Sequence, residues 1–183
     1  KTKSIGFSEI APSSLRRASQ IHHIAAIQSE YSLSTRAPEM GLVQTCKDLG
    51  TALVAFSPVG RTLLTDNPLS YDFAQSLDFT KVNPRFNQPN YDHNISISNK
   101  FRNYSRDIGV ASATLSIAWL LAKDDHIIPI PGTRSVDHLE ELVTGTEFDM
   151  TDKIMAEIEN ILPLGWAYGD RYSDAQWNGP ERY

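Results

Sequence analysis

The sequence predicts an α/β fold built on a parallel sheet, and three observations carry that expectation. Strand-like and helix-like segments alternate four times along the 183 residues, the pattern of successive strand-helix units rather than hairpins. Thr51 to Phe56 is a nearly continuous apolar run, as expected of a strand covered on both faces. The strands also end on polar residues, Ser8-Glu9, Gln28-Ser29-Glu30, Ser57 and Thr133, where a parallel α/β sheet opens to its ligand. Four such units make either half of a (β/α)8 barrel or a small open sheet. A half barrel leaves two strand edges and one sheet face uncovered, so that architecture argues for a complement.

Each element has its own warrant. Ser4 to Phe7 is a short apolar strand, followed by a helix from Pro12 to Gln20 with Leu15 and Ala18 on one side. Ile24 to Gln28 is the second strand. Pro38 suits the first position of a helix whose stripe of Met40, Leu42, Val43 and Cys46 runs to a stop at Gly50. After the third strand, periodicity is lost from Gly60 to about Asn94; this long segment, residues 61–94, is expected to be a cofactor and substrate loop and the best lid. Ser98 to Asp107 and Ser112 to Lys123 are predicted helices parted by Gly109, the second amphipathic through Leu115, Ala118, Trp119 and Leu120. Ile127 to Ile130 is the fourth strand. Ser135 is the expected N-cap of the next helix, with Asp137 in its first turn, and Thr151 or Asp152 caps a last helix to Asn160. The tail from Pro163 is rich in Trp, Tyr and Gly.

Composition narrows the function classes. With 40% hydrophobic and 21% charged residues the chain suits a single globular domain over residues 1–183. A net charge of −5 and the lack of any basic run argue against nucleic acid or an anionic membrane as partner. No stretch approaches the roughly 18 apolar residues of a membrane span. Cys46 is the single cysteine, which excludes an intrachain disulfide and fits a reducing, cytoplasmic setting. His22 and His23 adjoin a strand on backbone that points their side chains apart, so no metal site is expected.

The strand ends together have the chemistry of a nucleotide site. The Ser8 hydroxyl and Gln28 amide suit a planar carboxamide, and Phe56 offers a stacking face. Gly132, Thr133 and Arg134 open a helix with amides, a hydroxyl and a guanidinium suited to phosphate. Gly60 and Arg61 repeat that pairing after the third strand.

These segments carry a resemblance. GFSE from Gly6, QSEYSLSTR from Gln28, FSPVGRTLLT from Phe56 and IPGTR from Ile130 followed by LEE at Leu139, with PRF at Pro84, AWLL at Ala118 and GDRY at Gly169, resemble the C-terminal half of an aldo-keto reductase. The resemblance spans essentially the whole chain and implies the fifth to eighth units of a (β/α)8 barrel that binds NADP(H) and reduces an aldehyde or ketone. It implies that Ser8, Glu9 and Gln28 meet the nicotinamide carboxamide, with Glu9 where other branches have Asn. Phe56 stands in the stacking position usually held by Tyr. Ser57, Val59, Gly60 and Arg61 resemble the pyrophosphate loop, Gly132, Thr133 and Arg134 the adenosine 2′-phosphate grip, and His138 and Glu141 match adenine-side positions. Leu142 departs from the usual Asn, and Ala111-Ser112 from the usual Thr-Pro helix start, although Ser112 retains a capping hydroxyl.

The family's Tyr, Lys, Asp and His lie on its first four strands, so no catalytic residue is assigned in this chain. Alone it is expected to be inactive and to need a missing N-terminal half barrel, with a small carbonyl compound as substrate. A homo-oligomer is another arrangement that would cover the edges. The alternative reading is a non-catalytic NADPH-binding or regulatory subunit on the same scaffold.

Overall fold

The computed structural model describes residues 1–181. Four strands form one sheet in the order β1 (Gly6–Ser8), β2 (Ala26–Glu30), β3 (Ala52–Phe56) and β4 (Ile127–Ile130), every neighbouring pair parallel. Sequential order settles the choice left open by pattern: a doubly wound sheet reverses its strand order at a switch point, whereas a barrel wall adds each strand beside the last. The register puts Ser8 beside Gln28, Gln28 beside Val54 and Val54 beside Ile128, one row of side chains across the sheet. Glu30, Phe56 and Ile130 form the next row toward the carboxyl ends.

The two sheet faces differ sharply. Ile27, Leu53, Ala55 and Ile127 point to the helices and join the main core with Leu15, Leu42, Cys46, Phe101, Leu115, Trp119 and Ile158. On the other face Gln28 is exposed, as are Ile128 at 50% and Ile130 at 41%. Val54 and Phe56 are only half-buried there. The sheet is therefore packed on one face only, with apolar side chains on its open side.

The helices are α1 (Pro12–Ser19), α2 (Leu42–Leu49), α3 (Tyr71–Ser76), α4 (Asn90–Asp107), α5 (Ser112–Leu121), α6 (Val136–Thr144) and α7 (Asp152–Ile161). Several differ from the sequence expectation for identifiable reasons. The helix expected from Pro38 is split: Ala37–Met40 is a 3₁₀ turn, and Gly41, at φ 136°, breaks the chain before α2. That backbone angle is open to glycine and costly for other residues. α4 starts at Asn90, well before Ser98, because its buried stripe is Tyr91, Asn94, Ser98, Phe101, Arg102 and Ser105, a helical spacing written largely in polar residues. α5 is buried from Ser112 to Leu120 rather than amphipathic, since α4, α6 and β4 surround it.

The segment after β3 is not a featureless loop. It holds α3 and three 3₁₀ turns, and Leu63, Ala74, Phe86 and Tyr91 give it a small core of its own. Arg102, buried on α4, donates from Nη1 to the carbonyls of Leu63 and Thr65 at 2.8 and 3.2 Å. The expected caps of α6 and α7 are present: Ser135 Oγ accepts from His138 N–H and Thr151 Oγ1 from Ile154 N–H.

The tail runs back across the carboxyl ends of the strands. Trp166 Nε1 donates to Leu33 O at 2.7 Å, and Asn94 accepts from Tyr168 N–H at 2.8 Å while its amide donates to Tyr168 O at 2.9 Å. Farther on, the Glu181 N–H donates to Glu9 O at 2.8 Å, and its carboxylate accepts from Ala11 N–H and Ser14 Oγ.

Candidate cofactor-binding site

The strand ends and loops gather ten of the thirteen expected site residues around two cavities. The first, about 500 Å³, is lined by Ser8, Glu9, Gln28 and Phe56 together with Tyr172, Gly179 and Pro180 of the tail. Ser8 and Gln28 are register partners on adjacent strands, so their side chains project on the same face, with Phe56 one row above. Both are exposed, and neither side chain has a hydrogen-bond partner among the described residues. This is the arrangement a carboxamide on a planar ring requires: free polar groups below, an aromatic face beside.

The second cavity, about 420 Å³, is lined by Val59, Gly132, Thr133, Arg134, His138 and Glu141 with Thr62, Thr65, Asp66 and Leu142 among its other walls. Gly132 to Arg134 are exposed, and no atom lies within 4 Å of the place a Cβ on Gly132 would take. Arg134 has no ion-pair partner among the described residues, and α6 starts at the same cavity, which its N-cap Ser135 lines. His138 and Glu141, one helical turn apart, line one wall. The residues fit a phosphorylated nucleoside.

A tight turn from Phe56 to Val59 connects the two cavities. Ser57, Gly60, Arg61 and Thr62 all have positive φ, and the Gly60 N–H donates to Ser57 O at 2.9 Å. At Gly60 the φ is 59° and an added Cβ would lie 2.7 Å from Ser34 Oγ, so the turn presses against the loop after β2 and requires glycine. Three non-glycine residues in this region concentrate backbone strain at the loop between the two cavities.

Two expected contacts, Glu9 and Arg61, are engaged within the protein. Glu9, buried at φ 54°, accepts from Glu30 N–H at 2.8 Å on one oxygen and pairs with Arg171 on the other. Arg61 Nη2 donates to Glu30 Oε2 at 2.8 Å, and its guanidinium lies 4.1 Å over the Phe79 ring. Ser57 lines neither cavity. Burial opposes the charge of Arg171, yet Glu9 and Glu30 hold its pKa above the ordinary arginine value, while burial pushes Arg85 below it. Burial and the same two carboxylates raise the Tyr172 phenol, which stays protonated.

Tyr172, Arg85 and Arg171 have no assigned role in the sequence, although they stand in the GDRY and PRF motifs. Which loop the tail crosses is a tertiary fact. His22 and His23 lie exposed, and no cluster of three or more His, Cys, Asp or Glu suited to a metal occurs among the described residues. No helix among the described residues is long and apolar enough to cross a membrane.

The sequence profile of the aldo/keto reductase family matches residues 1–163. The chain belongs to the aldo/keto reductase family. It is 32% identical over 183 residues to the probable aldo-keto reductase 1 of Glycine max, covering all of this chain and 51% of that protein. It is 33% identical over 175 residues to the aldo-keto reductase yakc [NADP(+)] of Schizosaccharomyces pombe, covering 94% and 52%. Among solved structures, the glycerol dehydrogenase AKR11B4 of Gluconobacter oxydans superimposes with a TM-score of 0.72 at 20% identity, covering 87% of this chain and 49% of that one. A thermostable aldo-keto reductase, Tm1743, solved with the inhibitor epalrestat, gives 0.64 at 25% identity, covering 87% and 48%. The chain thus spans about half the length of the relatives it matches, and its four strands are a partial (β/α)8 barrel.

Proposed function

We propose that this chain forms the cofactor-holding half of an NADP(H)-dependent oxidoreductase that reduces aldehydes or ketones. The observation that carries the reading is the pair of cavities joined by one turn: Ser8, Gln28 and Phe56 around one, Gly132, Thr133, Arg134, His138 and Glu141 around the other. Ser8 and Gln28 would fix the carboxamide and Phe56 would hold the ring flat, presenting one face to substrate. Thr133, Arg134 and the first amides of α6 would hold the adenosine phosphate, with His138 and Glu141 beside the base. When bound, the dinucleotide supplies the hydride for the carbonyl carbon. The name of the Schizosaccharomyces pombe relative, which specifies NADP(+), supports the choice of cofactor.

The proton donor and the residues that tune it are proposed to lie on a complementary half barrel, which would also cover the open face at Val54, Phe56, Ile128 and Ile130. Without them this chain has no proton for the developing alkoxide, a loss of ~10²–10⁴ in rate. A cytoplasmic setting accords with Cys46 remaining a buried free thiol.

Titrating NADPH and NADH by cofactor fluorescence tests the reading. The full chain should bind NADPH, and Arg134→Ala should weaken NADPH more than NADH; equal losses would contradict the phosphate role. Reduction of an aldehyde panel by residues 1–183 alone would overturn the assignment of the proton donor elsewhere. NADPH binding by the complete enzyme with no carbonyl turnover would favour a non-catalytic subunit.

A further inference from the structure

The two free edges of the sheet are unlike each other. On β1 the Ile5 carbonyl accepts from Ala25 N–H at 2.9 Å, and the Glu9 N–H donates to Gln28 O at 2.9 Å, so the alternate residues Gly6 and Ser8 turn their backbone groups outward. On β4 the His126 carbonyl accepts from Leu53 N–H at 2.9 Å, which turns Ile127 and Pro129 outward. Proline has no N–H, and the Ile127 N–H is taken by Asp124 O at 3.1 Å. The β4 edge therefore presents carbonyls only, while the β1 edge presents amides as well. Two β4 edges cannot pair with each other, whereas β4 can accept from β1.

Apolar surface lies uncovered beside both edges. Phe7 shares its face with Ile27 of the core yet is 42% exposed, and Ile5 and Ile21 on the same side of the molecule are exposed with it. Beside β4, α6 buries Leu142 and leaves Val136, Leu139 and Val143 exposed, a stripe at helical spacing whose first residue is 70% accessible. In a parallel barrel a crossover helix packs back onto the strands it connects, and among the described residues no strand lies beyond β4 to receive this stripe. Charge follows the same division. Residues 1–20 carry Lys1, Lys3, Arg16 and Arg17 with Glu9 as their one acid. Arg16 is paired with Asp48 and Glu9 with Arg171, so three cations remain there against the Glu181 carboxylate held at Ala11 and Ser14. Residues 136–149 contain no Lys or Arg, and Asp137, Glu140, Glu147 and Asp149 are exposed there. One edge is basic and the other acidic.

We infer that the two edges meet between copies: β4 and α6 of one chain dock on β1 and α1 of a second, and the pair closes an eight-stranded parallel barrel about a twofold axis. The Gly6 and Ser8 N–H groups of one copy donate to the Ile127 and Pro129 carbonyls of the other, and the α6 stripe covers Ile5 and Phe7. A head-to-tail contact forms a ring when its rotation closes, and eight strands give an interior that side chains just fill. Val54, Phe56, Ile128 and Ile130 of each copy supply that filling. Contacts between like edges are disfavoured, since α6 against α6 opposes acids to acids and β1 against β1 opposes Lys1 and Lys3 to themselves. This goes beyond the oxidoreductase reading, whose complementary half barrel would compete for the same two edges.

The test is the solution mass of the full chain, measured by sedimentation velocity across a concentration series, with folding checked by circular dichroism. The expected mass is twice that of the 20.4 kDa chain, with no growth to larger species. A single-chain mass at every concentration, or a mass that keeps rising, would overturn the closed pair. Phe7→Glu spoils the β1 edge and Leu139→Glu the α6 stripe, and both residues are exposed in the single chain, so each variant should keep its fold. Each change enters both contacts of the pair and should weaken it roughly a hundredfold, about tenfold for each apolar side chain left uncovered. Mixing the two variants in equal amounts should restore the dimer, because one contact is then intact and both lesions fall in the other. If Phe7→Glu loses its circular dichroism signal, Arg17→Glu on the exposed side of α1 replaces it in the mixture, with the same recovery expected. A dimer that survives the β1-edge variant undiminished, or a mixture as weak as its two parents, would rule out the head-to-tail arrangement.

Discussion

Asp66, on the loop after β3, caps a helix that begins 46 positions later: its carboxylate accepts the Ser112 N–H at 2.9 Å and the Ser112 hydroxyl at 2.8 Å. Ser112 is the expected cap of α5, but it occupies the first helical position, and the methyl of Ala111 before it cannot accept a hydrogen bond. A cap from another segment satisfies the same orphan amide and also fastens the wall of the second cavity, which Asp66 and Ala113 both line. Asp66→Ala should cost about 1 kcal/mol of stability in urea unfolding, and Asp66→Asn distinctly less. An unchanged midpoint for Asp66→Ala would show that water serves that amide equally well.

Two glycines of the site separate stability from binding. Gly60→Ala places a Cβ 2.7 Å from Ser34 Oγ and 3.2 Å from Leu64 at a φ of 59°. The left-handed backbone alone should cost about 1–2 kcal/mol, so this variant should melt earlier. Gly132→Ala meets no atom within 4 Å, so its melting temperature should stay put while NADPH binding weakens if the nucleotide takes the proposed place, because the new methyl stands at the second cavity. Loss of stability at Gly132 with unchanged affinity would place the nucleotide elsewhere.

The sequence was readable where one physical signal dominated. The apolar run into Phe56, the cap at Ser135 and the stop at Gly50 each depend on neighbours along the chain, and each stands close to where the residues placed it. Legibility failed where tertiary contacts supplied the pattern. The first turns of α4 are hidden in sequence because Asn94 and Ser98 occupy buried positions that usually hold Leu, and Asn94 is there to bridge Arg85 O and Tyr168. Glu9 and Arg61 had reasonable chemistry for a ligand, but nothing local says that Arg171 and Glu30 engage them. The cavity-lining role of Tyr172 is equally remote, because a tail's destination leaves no periodicity.

Cys46 lies in the core on α2, fully buried, and burial pushes its thiol up to about 12. A thiol so placed has almost no thiolate near neutral pH and no path for a reagent. At pH 8 the native protein should therefore not react with a disulfide reagent such as Ellman's, and one equivalent should react in urea. Rapid labelling of the native state would mean that α2 opens from the sheet.

Acid should loosen the end of the sheet opposite the site. Asp124, just before β4, accepts from Lys47 Nζ of α2 at 2.7 Å, and His126 Nδ1 lies 3.0 Å from its other oxygen. The Lys47 ammonium and the His126 ring hold the Asp124 carboxyl down at about 2. A folded-state value below the unfolded one, which is near 3.9 for an ordinary aspartate, contributes stability that is present above about pH 4 and is lost as pH falls through about 2. Asp124→Asn should remove that slope: urea midpoints of wild type and variant should differ at pH 7 and converge between about pH 4 and 2. The pair is exposed at Lys47, so salt should shrink the difference at neutral pH. Parallel midpoint curves down to pH 2 would show that Asp124 titrates in the native state as it does in the unfolded chain.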